Sequence, residues 1–459
     1  MAQHLFFTLA AATALSAVVS GCTMAPQYGR PAAPVVAQYP GLTLTNESNA
    51  ADLAWQNFFA DERLKQLIGL SLTNNRDLRV AVLNVEQSQA QYRITRSASF
   101  PAVNAGGSYT RSGNFTTAAN SWSASLGTTA YELDLFGRVR SLNRQALEKY
   151  FATAEARRNA QISLVAEVAT EYFTLRQTEE QLQLARQTLV TVQDSYRVNQ
   201  ATFNAGAGNE LDLRTAEGQV QTAKINVMTY ERQLAQAQNY LVLLLGCPLP
   251  ADLPAARSFD DTNILADIPA GLPSELIQRR PDILEAEHTL KAANANIGAA
   301  RAAFFPTITL TGSIGTTSSQ FEKLFGSGTG VWSFAPQVTV PIFTGGQNRA
   351  SLEAAKVGAR IEVANYEKAI QTAFREAADA LVATGSYARQ IEAETALINA
   401  QQIRFELATL RYRQGEDSYL NVLSAQQDLY SAQQGRIQAQ YNQLASQISL
   451  YQALGGGWK

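Results

Sequence analysis

Arg138 to Ala205 reads RVRSLNRQALEKYFATAEARRNAQISLVAEVATEYFTLRQTEEQLQLARQTLVTVQDSYRVNQATFNA, 68 residues between Gly137 and Gly206 with neither glycine nor proline. Glycine and proline are the residues that most readily end a helix. An unbroken helix of that length spans about 100 Å at roughly 1.5 Å per residue, several times the diameter of a small domain. A second stretch, Gln347 to Gln414, has the same length between Gly346 and Gly415, with two internal glycines (Gly358, Gly385) and no proline. Two equal helices of this size do not fold into one compact core. They predict an elongated build, with Gly358 and Gly385 marking bends or close helix approaches in the second helix.

Working outward, each long stretch ends at a glycine and is followed by a returning helix. After Gly206-Ala207-Gly208-Asn209 the returning segment runs to Gly246, and after Gly415-Glu416-Asp417-Ser418 it runs to Gly455. A terminal glycine supplies the left-handed residue that closes a helix, and Glu210, Asp212, Glu416 and Asp417 then lie where a helix N-terminus favours negative charge. The returning segments carry apolar or small residues at strict 3,4 spacing, from Leu213, Ala216 and Val220 through Leu244, and from Leu420, Leu423 and Gln427 through Tyr451. The first long helix adds Leu182, Ala185, Leu189, Val192 and Tyr196. These are coiled-coil seams.

Upstream of each long helix lie segments of period two. Ile308, Leu310, Gly312 and Ile314 alternate with threonine and serine, as do Trp332, Phe334, Val338, Val340 and Ile342 with Ser333, Ala335, Gln337 and Thr339. Val103, Ala105 and Tyr109, then Trp122, Ala124 and Leu126, do the same earlier. One apolar face and one face of small polar residues fit strands of a membrane barrel with a wet lumen; a small soluble β-domain is the alternative. Four strands do not close a barrel, and open strand edges are not tolerated in lipid. If these strands span a membrane, several chains share one barrel.

The chain repeats itself. Asn75-Arg76-Asp77-Leu78 matches Arg280-Pro281-Asp282-Ile283, and Arg96 to Pro101 matches Arg301 to Pro306, both at an offset of 205. Phe203-x-x-Gly206 matches Tyr412-x-x-Gly415, and Leu245-Gly246 matches Leu454-Gly455, at 209. Self-similarity at this distance predicts two tandem units. The first covers 61–246: a helix from about Asp61 to Ser99, strands near 101–115 and 121–136, the long helix 138–205 and a returning helix 209–245. The second covers 276–455: a helix, strands near 306–316 and 331–343, the long helix 347–414 and a returning helix 418–454. Residues 247–275 hold five of the fourteen prolines and read as a linker, and 456–459 as a tail.

The N-terminus places this build outside the cytoplasm. An apolar run from Leu5 to Val19 precedes Val19-Ser20-Gly21-Cys22. It is too short for a retained span and fits a signal peptide, 1–21, cleaved before a cysteine whose thiol is then acylated; an ordinary signal peptide with a chance cysteine is the plainer alternative. Thr23 rather than aspartate after Cys22 favours the outer membrane. Residues 22–60 read as a lipidated tether followed by an equatorial segment. With Cys22 lipidated, Cys247 stands alone and no intrachain disulfide forms. His288 is the one histidine of the mature chain, so neither a multi-histidine metal site nor several catalytic histidines are available. Net charge −2 and pI about 5.9 give no sign of a nucleic-acid partner.

The lipobox, two repeats, strand pairs, Gly-tipped turns, the run Arg280-Pro281-Asp282-Ile283 through Phe305-Pro306 and the terminal Gly455-Gly456-Gly457-Trp458 together resemble the TolC superfamily. The resemblance is greatest to its lipoprotein branch, the OprM/NodT-type outer-membrane factors. It implies an α+β membrane protein and a homotrimer, with a shared twelve-stranded barrel continuing into a twelve-helix periplasmic tunnel. It implies a passive exit duct for drugs or other small molecules, working with a periplasmic adaptor and an inner-membrane pump of the RND class. No enzyme activity and no cofactor beyond the lipid on Cys22 are expected.

The family closes its periplasmic end through tyrosine, arginine and aspartate contacts at the helix tips. Carried over, the tyrosine is Tyr412, the arginine is replaced by Asp417, and the two aspartates are replaced by Asn421 and Ser424. Asp212, the first-unit counterpart of Asn421, is the candidate acidic ring, aided by Glu210, Glu416 or Asp417; a simple helix-start preference is the plain alternative. Leu211, Leu213, Leu420 and Val422, just past Gly206 and Gly415, are candidate adaptor contacts, or else only close the seam. Three rival functions remain: a type I protein-secretion duct, a structural coiled-coil lipoprotein and a tethered enzyme. The last lacks any GxSxG, HExxH, P-loop or dinucleotide-binding pattern.

Overall fold

The structure, a computed structural model, describes residues 23–36, 53–259, 261, 264 and 279–458. The expected signal peptide, Cys22, residues 37–52 of the tether and 265–275 of the linker lie outside the described residues. In chain order the elements are α1 (Trp55–Phe58), α2 (Glu62–Asn74), α3 (Arg76–Ser97), β1 (Val103–Gly113), β2 (Ala118–Leu133), α4 (Arg138–Asn204) and α5 (Glu210–Leu245). Then follow α6 (Pro281–Ala302), β3 (Thr307–Ser318), a 3-10 turn at Phe321–Lys323, β4 (Gly330–Thr339), α7 (Gln347–Arg413) and α8 (Tyr419–Ala453). The two long helices, α4 and α7, are each 67 residues.

The single helix expected from Asp61 to Ser99 is two. Asn75, with ψ 133°, breaks it, and its side chain makes the break useful. Its Oδ1 accepts from Leu78 N at 2.9 Å, starting α3, while its Nδ2 donates to Leu244 O at 2.9 Å. β4 stops at Thr339 rather than near 343, because Pro341 has no N–H to extend the ladder. In α7, a Cβ at Gly358 or Gly385 would meet no atom of this chain, and the helix is continuous through both.

The chain divides into two compact units. One takes Met1–Ala33, Leu83–Glu155 and Leu284–Ala369; the other takes Pro34–Val82, Ala156–Ile283 and Ile370–Lys459. Each draws on both halves of the sequence.

The first unit holds one antiparallel sheet in the order β1-β2-β3-β4. Its register separates the two faces: Ala105, Leu126, Ile314 and Trp332 form one cross-strand row, and Asn104, Gly127, Ser313 and Ser333 the next. The apolar row is open to the outside, with Leu126 50%, Ile314 66% and Trp332 79% exposed. β1 and β4 each pair on one side only, so both outer edges present unpaired backbone groups. After β2, Asp134 caps the start of α4 by accepting from Val139 N at 3.0 Å and Arg140 N at 2.9 Å.

In the same unit the start of the expected tether is docked. Residues 24–30 dock along α6: Arg301 donates to Met24 O at 3.1 Å, Asn294 to Pro26 O at 2.8 Å, and Tyr28 and Arg30 both reach Glu287. His288 sits beside Glu148, Nδ1 to Oε2 2.6 Å, which gives the histidine a structural partner.

The second unit builds its core around α1 and α2. Phe58, Phe59, Leu64, Leu67 and Ile68 are fully buried, with Phe58 stacked on Tyr451 at 4.0 Å. Tyr172 donates to Asp61 at 2.6 Å, and the same carboxylate caps α2 through Arg63 N. Positions matched at offsets of 205 and 209 perform one task here: Asn75 donates to Leu244 O, and Arg280 donates to Ala453 O at 2.9 Å. Each side chain satisfies a carbonyl that the end of a returning helix leaves without an intrahelical partner.

Candidate functional site

The site is assembled where α4 turns into α5 and α7 into α8, all within the second unit. Gly206 and Gly415 adopt φ +75° and +77°, which a side chain would strain. Around them Ala207 N donates to Thr202 O at 3.1 Å and Glu416 N to Arg411 O at 3.0 Å, the six-to-one bond that closes a helix on a left-handed residue. The backbone solution is shared by the two tips.

The side chains differ. At the first tip Asn209 caps α5: its Oδ1 accepts from Asp212 N at 2.8 Å and its Nδ2 donates to Asp212 Oδ2 at 2.8 Å, so the Asp212 carboxylate is held in place. Glu210 is exposed and pairs loosely with Arg214 at 3.4 Å. At the second tip Ser418 makes no side-chain cap. Asp417 works instead, accepting from Ser418 N at 2.9 Å and from Asn421 Nδ2, with Arg411 Nε 3.5 Å away. The Ser418 N–H first, then Asn421 and Arg411, hold the Asp417 carboxyl below the usual range. Glu416 is exposed, and its backbone N–H closes the turn.

The two tips meet through tyrosines. Tyr412 OH donates to Asn199 Oδ1 at 2.9 Å, and its ring lies 5.5 Å from that of Tyr419. Burial pushes the Tyr412 phenol up, and the charge of Asp212 pushes it further. Tyr419, 2% exposed, packs with Ala216 and Val422 in a cluster flanked by Tyr196, Phe405 and Tyr412. Asp212 and Tyr412, singled out from opposite halves of the sequence, therefore lie in one neighbourhood, where the Asp212 charge bears on the Tyr412 phenol.

Asn421 and Ser424, which replace the family's aspartates, are each served by an acid one turn away. Asn421 binds Asp417, four residues before it; Arg404 bridges Ser424 Oγ at 3.2 Å to Asp428, four residues after it. The four-residue spacing was visible in the sequence. Asn199, Arg404 and Arg411 were not foreseen, because nothing local marks a polar residue inside a long helix as a partner across the seam.

The four candidate adaptor contacts divide. Leu211 and Leu420 are 75% and 66% exposed, whereas Leu213 and Val422, at 9% and 4%, are buried in the chain's own seam. Of the four, only Leu211 and Leu420 are exposed, and part of the expected second seam is corrected: Leu420 and Gln427, placed on it, face outward, while Val422, the counterpart of the seam residue Leu213, packs inside. Among the described residues no cluster of three or more His, Cys, Asp or Glu is placed to hold a metal.

A family profile described as outer membrane efflux protein matches residues 67–247 and 272–456. The chain belongs to that family. This efflux protein is 47% identical over 454 residues to the toluene efflux pump outer membrane protein TtgC of Pseudomonas putida, covering 96% of this chain and 94% of that one. It is 42% identical over 448 residues to the cation efflux system protein CusC of Escherichia coli, covering 96% and 97%. Among solved structures, the open state of the Neisseria gonorrhoeae MtrE outer membrane channel superposes with a TM-score of 0.88 at 41% identity, covering 95% of this chain and 99% of that one. The resemblance read from the motifs is thus to the right family. The protein is an outer-membrane exit duct of an efflux system, and its family is one of channels rather than enzymes.

Proposed function

We propose that the duct is a homotrimer in which three copies of β1–β4 close one twelve-stranded barrel, continued by a tunnel of α4, α5, α7 and α8 from each chain. The observation that carries this reading is the sheet of the first unit, with one apolar face outward and two unpaired edges. In lipid each unpaired backbone group costs several kcal/mol, so such a sheet has to be closed by further strands. A coiled-coil lipoprotein has no use for such a sheet. Two tandem units, related by duplication, account for the paired elements, with Asn75 and Arg280 doing one task at matched positions.

The mature chain begins at Cys22, lipid-anchored in the outer membrane, and receives small molecules from a periplasmic adaptor and an RND-class pump. Relatives are named for toluene and for cation efflux. A wide passive duct is compatible with both, and selection falls to the pump. The turns at Gly206 and Gly415 form the periplasmic aperture. Asp212, held by Asn209 and coupled to Tyr412, supplies its acidic ring, with Glu210, Glu416 and Asp417 outside it. Leu211 and Leu420 meet the adaptor.

Native mass spectrometry of detergent-solubilised protein tests the assembly: a trimeric mass supports it and a monomer excludes it. Single-channel recording tests the ring: Asp212→Ala is expected to reduce cation preference and ease opening, and unchanged behaviour removes Asp212 from the gate. Retention of the adaptor at wild-type level by a folded trimer carrying Leu211→Asp and Leu420→Asp would remove those leucines from the contact.

A further inference from the structure

A groove of about 520 Å³ in the first unit belongs to neither the tips nor the strands. The docked N-terminal strap forms one wall through Tyr28, and α6 and α7 form the others. Three cations line it, Arg301, Lys356 and Arg360, and no carboxylate does. That is an unusual concentration in a chain with 37 basic and 39 acidic residues. Arg301 commits one nitrogen to Met24 O. Lys356 and Arg360 are exposed, lie one turn apart on α7, and form no ion pair with any described residue. Like charges at this spacing repel, and an anion between them would relieve the repulsion. Leu290, Ile297 and Val363 give the rest of the wall an apolar stretch, beside the amides of Gln27 and Asn294.

Cationic and apolar linings side by side fit an anionic amphiphile. The strap says which. Tyr28 lies six residues after Cys22, a reach of at most about 20 Å for extended chain. Glu287, 2% exposed, fixes Tyr28 and Arg30 against α6. Burial alone would raise the Glu287 carboxyl; hydrogen bonds from Arg30, Lys291 and Tyr28 outweigh it and keep the group ionised. A lipid anchor on Cys22 would hold the strap, and the groove beside it, close to the leaflet in which its acyl chains lie.

We propose that the Arg301–Lys356–Arg360 groove binds the phosphate headgroup of an anionic membrane phospholipid, whose tails lie beside the lipid carried by Cys22. The proposal rests on the reading of Cys22 as an outer-membrane anchor. The headgroup would fix the rotation of α6 and α7 relative to the membrane plane, a task a single flexible anchor performs poorly.

The test uses the full-length trimer in mild detergent, with native mass spectrometry to count bound phosphatidylglycerol, phosphatidylcholine and inorganic phosphate. Wild type is expected to retain phosphatidylglycerol. Lys356→Gln with Arg360→Gln is expected to weaken that retention about tenfold or more, given the usual contribution of each basic residue near an anionic surface. Lys368→Gln, further along α7, is the control and is expected to change nothing. Equal retention by wild type and the double variant overturns the site. Phosphatidylcholine held as firmly as phosphatidylglycerol overturns anionic selectivity, and displacement of lipid by inorganic phosphate at matched concentration makes it a free-phosphate site instead. Intact mass reports Cys22 acylation and single-channel conductance reports the duct, so a wild-type trimer that retains no phosphatidylglycerol with both intact defeats this inference alone.

Discussion

The turns at Gly206 and Gly415 are built on one backbone plan and carry different chemistry. Positions matched at an offset of 209 show where they part. Leu211 and Leu420 are both exposed, and Leu213 and Val422 are both buried. Yet Tyr419 is buried at 2% where its counterpart Glu210 is exposed, and Asn421 stands where Asp212 does. One tip supplies a carboxylate held by an asparagine, and the other an asparagine held by a carboxylate. Backbone closure tolerates either arrangement, because it needs only a left-handed residue and free carbonyls. The electrostatics of the two tips follow from which side chain each happens to offer.

The largest break in that comparison is expected at Tyr419. Tyr419→Ala removes a buried ring from the seam and should cost about 3–5 kcal/mol, whereas Glu210→Ala should stay within about 0.5 kcal/mol. Thermal unfolding of the trimer in detergent checks both, and equal losses would deny the asymmetry. Next come the glycines. Gly206→Ala and Gly415→Ala each place a Cβ on a left-handed backbone and should each cost about 1–2 kcal/mol; a clear inequality between them in the same assay would show that the two turns are not equivalent.

A smaller effect separates the caps. Asn209→Ala should lose about 1 kcal/mol and Ser418→Ala almost nothing, since only Asn209 makes a side-chain cap. The smallest effect is a pH dependence at Asp417. Its carboxyl is held below the ordinary aspartate range, so the hold it provides is complete above that range and is lost as pH falls through the lowered value. A fall in the protection of the Ser418 amide on acidification, taken relative to its intrinsic exchange rate at each pH, is the expected signature and should be absent in Asp417→Asn; protection that ignores both would separate Asp417 from the turn.

Much of this was legible before any coordinates. The lengths of α4 and α7 follow from the spacing of glycines, and the seam of α5 from a 3,4 period. The sheet rows follow from alternation, as Ala105, Leu126, Ile314 and Trp332 show. Where the reading failed, the deciding residue answered to something distant. Asn75 looked like part of one long helix because its partner, Leu244 O, lies far along the chain. Residues 24–30 looked like a tether because Glu287 and Arg301 carry no mark of what they hold.

The sequence by itself thus determined where the two long helices start and stop and which strand faces are apolar. These are consequences of backbone sterics and of burial at a fixed period, and they act over a few residues. Only the tertiary structure decided that Asp212 bears on Tyr412, that Leu213 and Val422 are inside while Leu211 and Leu420 are out, and that three cations meet in one groove. Each of those depends on segments far apart in the chain being brought to within a few ångströms, where charge and hydrogen bonding act.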